Sequence, residues 1–100
     1  MGVNDMYGIV MHDYMRDYLE KEFVIAYGNT KKEAVTNAWN ILKSDMENDI
    51  EYLRFDCDDN RVTKTSFIKG ILDNEQSKDG VYFSDPCSLY IKLFKIPNRV

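Results

Sequence analysis

The chain has little of the residue chemistry from which catalytic and metal-binding sites are built. Its 100 residues include one histidine, two cysteines and five glycines, and the glycines are isolated from one another. One histidine and two cysteines do not supply the four ligands of a structural zinc site, and isolated glycines do not form a phosphate-binding loop. These shortages predict a non-enzymatic protein without catalytic residues, cofactor or metal.

Long apolar runs are missing as well. No stretch approaches the roughly 20 residues that a membrane-spanning helix needs, and residues 1–5 do not begin a signal peptide. The composition favours residues that have AT-rich codons. Asn, Lys, Ile and Tyr number 32, whereas Ala, Pro, Gly and Arg, which have GC-rich codons, number 14. This bias is typical of a low-GC bacterial or phage genome. We therefore expect a cytoplasmic protein without a membrane partner, in the host cytoplasm if a phage encodes it.

What the chain does contain is enough apolar material for one hydrophobic core. Hydrophobic residues make up 44% of it and aromatic residues 13%, which is more than disordered chains carry. No repeat or linker divides the sequence, and 100 residues suit one small domain. We predict a single globular domain over residues 1–100.

Two segments are predicted to form the main helices. Residues 5–21 carry apolar side chains at helical spacing, and the competing prediction there is a strand over Met6–His12 followed by a hairpin. Thr30 and Glu33 have the spacing of a capping box, in which the threonine hydroxyl accepts from the Glu33 amide and the glutamate returns to the Thr30 amide. The apolar face behind that box predicts a helix over about 30–46 with Trp39 in the core.

The remaining segments have strand and turn patterns. We predict strands over Glu22–Tyr27, Ile50–Cys57, Val81–Phe83 and Ser88–Ile96, a turn at Asp58–Asn60 with Arg61–Lys64 pairing back, and a short helix near 66–73 capped by Thr65 or Ser66. Together these elements predict an α+β domain, with an antiparallel or mixed sheet of about 4–5 strands and two main helices packed on it.

Negative charge is concentrated in one short segment. The net charge is −4, but residues 1–44 contribute −1, residues 45–59 contribute −6 and residues 60–100 contribute +3. The middle segment has seven acidic residues and a single base, Arg54. Such a charge distribution does not suit direct binding of nucleic acid, because phosphate neutralisation needs clustered lysine and arginine.

Three kinds of chemical site have a partial signal in the sequence: a calcium loop, a disulfide and a cysteine–histidine pair. Asp56–Asn60 begins like a calcium loop, but Arg61 stands where that loop has glycine and Phe67 where it has a bidentate glutamate. A weak divalent-metal module there is one alternative, and a solvated hairpin turn is the other. Cys57 and Cys87 are expected to be buried free thiols, with a disulfide between them as the alternative. His12 stands beside Asp13, and nothing in the sequence brings either cysteine to it.

The function predicted from these features is protein binding. A small, acidic, tyrosine-rich chain without catalytic motifs is similar to phage and mobile-element proteins that block host nucleases, anti-CRISPR proteins among them. This resemblance implies an anti-defence inhibitor whose carboxylates mimic nucleic-acid phosphates in the basic groove of a larger protein, such as a host nuclease. The candidate partner-binding residues are Asp45, Glu47, Asp49, Glu51, Tyr52, Asp56, Asp58 and Asp59. The alternative is an accessory or homodimeric domain, joined through an edge strand or the 5–21 helix, whose acids are only a solvated face.

Overall fold

An antiparallel sheet of five strands carries two α-helices packed against it. The computed structural model describes residues 6–13, 23–78, 80–85 and 88–96. Its elements in chain order are β1 (Met6–Asp13), β2 (Phe23–Gly28), α1 (Lys31–Met46), a 3-10 helix (Glu47–Tyr52), β3 (Arg54–Phe55), α2 (Lys64–Asp73), β4 (Val81–Asp85) and β5 (Leu89–Ile96). The strand order is β2-β1-β5-β4-β3, and every neighbouring pair is antiparallel. The predicted α+β class is confirmed.

The core lies between the helices and one face of the sheet. Along β5, Leu89, Ile91 and Leu93 are buried and alternate with half-exposed residues, as expected of a strand with one covered face. A row of aromatic rings crosses this core. Trp39 of α1 lies 5.3 Å from Phe67 of α2, and Phe67 lies 5.8 Å from Phe83 of β4. The prediction of Trp39 as a core residue is confirmed.

Helix α1 begins at the predicted N-cap, Thr30, but only one half of the predicted capping box is formed. The Thr30 hydroxyl accepts from the Glu33 amide at 3.0 Å, whereas the Glu33 carboxylate accepts from the Asn29 amide at 2.9 Å rather than from Thr30. The apolar face buries Ala34, Val35, Ala38, Trp39 and Leu42. The predicted helix over 30–46 is therefore confirmed.

The helix predicted over residues 5–21 is wrong for its described part, because Met6–Asp13 is strand β1. The competing prediction of a strand there is correct. β1 pairs with β2 on one side and β5 on the other, and both of its faces carry apolar residues. A strand that is apolar on both faces imitates helical spacing, since Val10 and Met11 follow Tyr7 at three and four residues. Residues 14–22, with Tyr14 and Tyr18, lie outside the described part.

The strand predicted over Ile50–Cys57 is also shorter than expected. Only Arg54–Phe55 forms β3, and residues 47–52 form the 3-10 helix that directly follows α1. Alternation of acidic and apolar residues therefore misled the prediction in this part of the chain. The chain turns after β3 and pairs back at Arg61 and Val62, where the Val62 amide donates to the Leu53 carbonyl at 2.9 Å. The predicted pairing does not extend to Lys64, which is the first residue of α2.

The elements of the C-terminal half match their predictions closely. Helix α2 starts two residues earlier than predicted, and its N-cap is Thr63, so the prediction of Thr65 or Ser66 as the cap is wrong. The Thr63 hydroxyl accepts from the Ser66 amide, while the Ser66 hydroxyl accepts from the Thr63 amide. Strands β4 and β5 cover the predicted segments, with β4 extending to Asp85. None of the described helices is both long enough and apolar enough to span a membrane.

Candidate functional site

The acidic segment, residues 45–59, runs along one end of the helical layer to the outer edge of the sheet. Asp45 belongs to the last turn of α1, and β3 is an edge strand. All eight candidate residues are solvent-exposed: Asp45, Glu47, Asp49, Glu51, Tyr52, Asp56, Asp58 and Asp59. The carboxylates divide into a group on α1 and the 3-10 helix and a group on the turn after β3.

The 3-10 helix spreads its carboxylates around its axis. With about three residues per turn, residues two apart point about 120° away from each other. Glu47, Asp49 and Glu51 therefore point in three directions rather than sharing one face. Asp49 and Tyr52 are three residues apart and lie on the same side, and the Tyr52 side chain is 54% exposed. The structure brings these two together as one small aromatic and acidic surface.

The second group forms the tip of a short hairpin. The Phe55 amide donates to the Asn60 carbonyl at 3.1 Å, and the Asp58 carboxylate accepts from the Asn60 amide at 3.0 Å. The Asp56 amide donates to the Tyr82 carbonyl of β4 at 3.1 Å, which anchors the hairpin to the sheet. We name this feature the hairpin tip (Asp56, Asp58 and Asp59). Its backbone is fixed, so its carboxylates are presented from a rigid base.

No base neutralises the acidic segment within the described part of the chain. The guanidinium of Arg54 donates to two backbone carbonyls, those of Glu51 at 2.9 Å and Leu53 at 3.1 Å. The ion pairs among the described residues join Lys31 to Glu75 and Lys69 to Asp73, and neither involves the acidic segment. The local negative field is therefore not cancelled by neighbouring side chains.

Backbone conformation is unusual at two of the acidic positions. Glu47 has φ 47° and Asp59 has φ 58°, and these are the non-glycine residues with positive φ among the residues that the structure describes. Aspartate tolerates the left-handed region well. Glu47 does not sit in that region, because its ψ is −114°, and such a conformation is costly for a residue with a Cβ.

The structure gives no support to a metal centre or a cysteine–histidine pair in its described residues. No three His, Cys, Asp or Glu side chains there are grouped so as to hold a metal ion. Cys57 is a free thiol and is exposed, so the expectation of a buried thiol is wrong for Cys57 and the disulfide alternative is not formed. Two strands separate β1, with His12, from β3, which precedes Cys57, a distance of about 14 Å at ordinary strand spacing. Cys87 lies outside the described part.

Sequence reasoning missed a groove between the two helices. Its volume is about 700 Å³. It is lined by Lys32, Thr36, Lys64, Thr65, Ile68, Lys69, Leu72 and Asp73. The lysines that flank the apolar positions of α2 are visible in the sequence. A local sequence pattern does not predict which helix packs beside α2, however, because that depends on the tertiary structure.

A second missed feature is the exposure of apolar side chains around edge strand β2. Met6, Phe23, Val24 and Tyr27 are between 41% and 52% exposed. The bulge between β1 and β2 interrupts the pairing at Ile9 and Val10. The side-chain amide of Asn37 donates to the Tyr27 carbonyl at 2.8 Å, which covers part of this edge.

Comparison with known proteins does not assign the chain to a family. No family model, no curated protein and no solved structure matches it significantly.

Proposed function

We propose that this protein is a non-enzymatic inhibitor that binds a basic groove on a larger protein through its acidic segment. The partner is a protein that normally tracks a nucleic-acid backbone, such as a host nuclease, and the site of action is the host cytoplasm if a phage encodes the chain. The domain itself contacts no nucleic acid. This role agrees with the profile of anti-defence proteins, anti-CRISPR proteins among them.

One observation carries the proposal. Seven carboxylates lie within residues 45–59, and the only base among them, Arg54, has its guanidinium bound to backbone carbonyls instead of to a carboxylate. Unneutralised, exposed carboxylates repel one another and contribute little to stability. Such carboxylates attract clustered lysine and arginine side chains on a partner protein. This electrostatic steering raises association rates strongly at low salt.

In the proposed mechanism, the carboxylates of this chain compete with nucleic-acid phosphates for the lysine and arginine side chains of the partner. A basic groove that binds phosphates holds lysine and arginine side chains at the spacing of a nucleic-acid backbone. The hairpin tip and the acids of the 3-10 helix offer carboxylates to those same side chains from a fixed backbone. Asp49 with Tyr52 adds an aromatic contact beside a charged one, and tyrosine is enriched at protein interfaces. Occupation of the groove then excludes the nucleic acid.

The proposal is tested by affinity capture at low salt with a matched pair of variants. The hairpin variant removes the three charges of the tip while keeping its shape: Asp56→Asn, Asp58→Asn and Asp59→Asn. Asparagine accepts the same turn hydrogen bond at position 58 and tolerates the left-handed conformation at position 59. The control variant removes three charges elsewhere: Asp73→Asn, Glu75→Gln and Asp79→Asn.

We expect wild type and the control variant to retain the same nucleic-acid-binding protein from a bacterial lysate, and the hairpin variant to lose it. Added duplex DNA should displace the retained protein from the wild-type chain, since both compete for one groove. Equal retention by the hairpin variant, or retention unaffected by DNA, would contradict the proposal.

A second candidate function, an accessory or homodimeric domain, has support of a different kind. The exposed apolar side chains of β2, including Phe23 and Tyr27, are typical of a surface that associates through apolar contact. Association of that kind changes little with salt, whereas binding through the acidic segment weakens steeply. The salt dependence of whichever complex is found therefore separates the two functions.

A further inference from the structure

The groove between the helices follows from their antiparallel packing. Lys31, at the start of α1, donates to the Glu75 carboxylate after the end of α2 at 3.0 Å, and further along Trp39 packs on Phe67. The groove runs beside α2, whose 10 residues make it about 15 Å long. This length accommodates about four residues of extended chain or the tip of a hairpin.

The chemistry of this groove is opposite to that of the acidic segment. Ile68 and Leu72 are half-buried and form an apolar floor, and lysine side chains stand on both sides of it. Lys69 is held by Asp73 at 2.7 Å, and this hydrogen bond raises the pKa of Lys69. Lys32 and Lys64 are exposed, and neither has an ion-pair partner among the described residues. The groove therefore offers two unpaired ammonium groups to an acidic occupant.

Helix α2 separates the groove from the chain's own hairpin. At about 100° per residue, Gly70 lies on the opposite side of α2 from Ile68 and Leu72. Gly70 faces the hairpin, because a Cβ there would stand 3.1 Å from the ring of Phe55. The hairpin tip thus flanks α2 on one side and the groove flanks it on the other. The acidic tip of one molecule can reach only the groove of another.

We infer that the groove between α1 and α2 is a docking site for the hairpin tip of a second copy of this chain. The occupant is argued from charge complementarity: Asp56, Asp58 and Asp59 of one copy meet Lys32 and Lys64 of the next. The inference shares the hairpin tip with the proposed function, but it requires no host protein.

The geometry fixes the type of assembly. Because the two contacting surfaces differ and lie on opposite flanks of α2, the contact is heterologous, and each pair of molecules keeps one free groove and one free tip. Such contacts build rings or open chains instead of a closed pair. Exposed ion pairs are weak and are screened by salt, so assembly occurs at high protein concentration and low ionic strength. A tip that holds a partner protein cannot also occupy the groove of a second copy.

Sedimentation velocity of the full chain provides the test. Between about 20 µM and about 1 mM protein, the weight-average mass of wild type should rise above the monomer's 11.8 kDa in about 10 mM NaCl and return to it in about 500 mM NaCl. The groove variant, Lys32→Glu with Lys64→Glu, and the hairpin variant defined above should each remain monomeric. A control with the same charge change outside the groove, Lys43→Glu with Lys78→Glu, should assemble like wild type.

Mixing provides the decisive outcome. The groove variant keeps an intact tip and the hairpin variant keeps an intact groove, so an equimolar mixture should form a 1:1 complex of twice the 11.8 kDa monomer mass that grows no further. Wild type that stays monomeric throughout would overturn the inference, as would a mixture that stays monomeric. Assembly that persists at high salt would also overturn it and assign the contact to the apolar surface at β2. Since no host protein is present, none of these failures bears on the proposed function.

Discussion

Two glycines occupy places where the backbone or a ring approaches too closely for a side chain. At the end of β2, a Cβ on Gly28 would clash with the backbone nitrogen of Ala34, and on β1 a Cβ on Gly8 would stand 2.5 Å from the ring of Phe94. The backbone of α1 cannot give way, whereas the end of a half-exposed ring can turn aside. We predict that Gly28→Ala costs about 3 kcal/mol of unfolding free energy and Gly8→Ala about 1 kcal/mol. Urea unfolding of the two variants checks this order, and equal costs would contradict it.

Glu47 carries a backbone conformation that glycine adopts more easily. At φ 47° and ψ −114°, a residue with a Cβ is strained, so Glu47→Gly should raise the unfolding free energy by about 1 kcal/mol. Glu47→Gln removes the same charge and keeps the Cβ, and it should leave stability nearly unchanged. If both variants stabilise the protein equally, relief of charge repulsion rather than of strain is the cause. If Glu47→Gly raises the free energy of unfolding, the native Glu47 lowers the stability of the protein.

At the scale of elements, α2 depends on its reciprocal cap. The Ser66 amide donates to the Thr63 hydroxyl at 3.2 Å and the Thr63 amide donates to the Ser66 hydroxyl at 2.8 Å. Thr63→Ala and Ser66→Ala should each cost about 1 kcal/mol. Because each residue serves the other, the double variant should cost less than the sum of the two single variants. Thermal unfolding of the three variants measures this coupling, and strict additivity would argue against a shared cap.

Elements with strong local signals were predictable from the sequence, and those decided by their neighbours were not. Thr30 and Glu33 specify the start of α1 within four residues, so that helix was predicted correctly. β1 was assigned to a helix because Met6–Asp13 is apolar on both faces. Its pairing with β2 and β5, which no local pattern predicts, makes this segment a strand. The 3-10 helix was missed because its residues alternate like a strand, although the chain there continues directly from α1.

The candidate site shows the same division. The acidic segment was visible in the sequence because the charge of a residue does not depend on the fold. Its carboxylates are exposed, as expected of charged side chains. The directions of Glu47, Asp49 and Glu51 follow from the 3-10 helix over residues 47–52, whereas the sequence predicted a strand from Ile50 onwards. The groove beside α2 could not be predicted, since Lys32 and Lys64 are distant in sequence and line one groove only after α1 and α2 pack together.

At the scale of the whole molecule, charges of opposite sign lie on separate surfaces. The −6 of the acidic segment lies at one end of α1 and along the β3 edge, whereas the lysines of the groove lie on the other side of α2. A net charge of −4 conceals this separation. A molecule charged in this way has two electrostatic contacts available, one through its acids and one through its bases, and both should be screened by salt.

The central claim is that the carboxylates of the hairpin tip bind a basic protein groove, and it is tested most directly by the salt dependence of that binding. The dissociation constant of the retained protein should be measured for wild type and for the hairpin variant across a range of NaCl concentrations. We predict that log Kd rises with log salt for wild type, and that it rises less steeply for the hairpin variant, because fewer charge pairs are left for salt to screen. Parallel slopes for the two proteins, with equal affinity at low salt, would contradict the account.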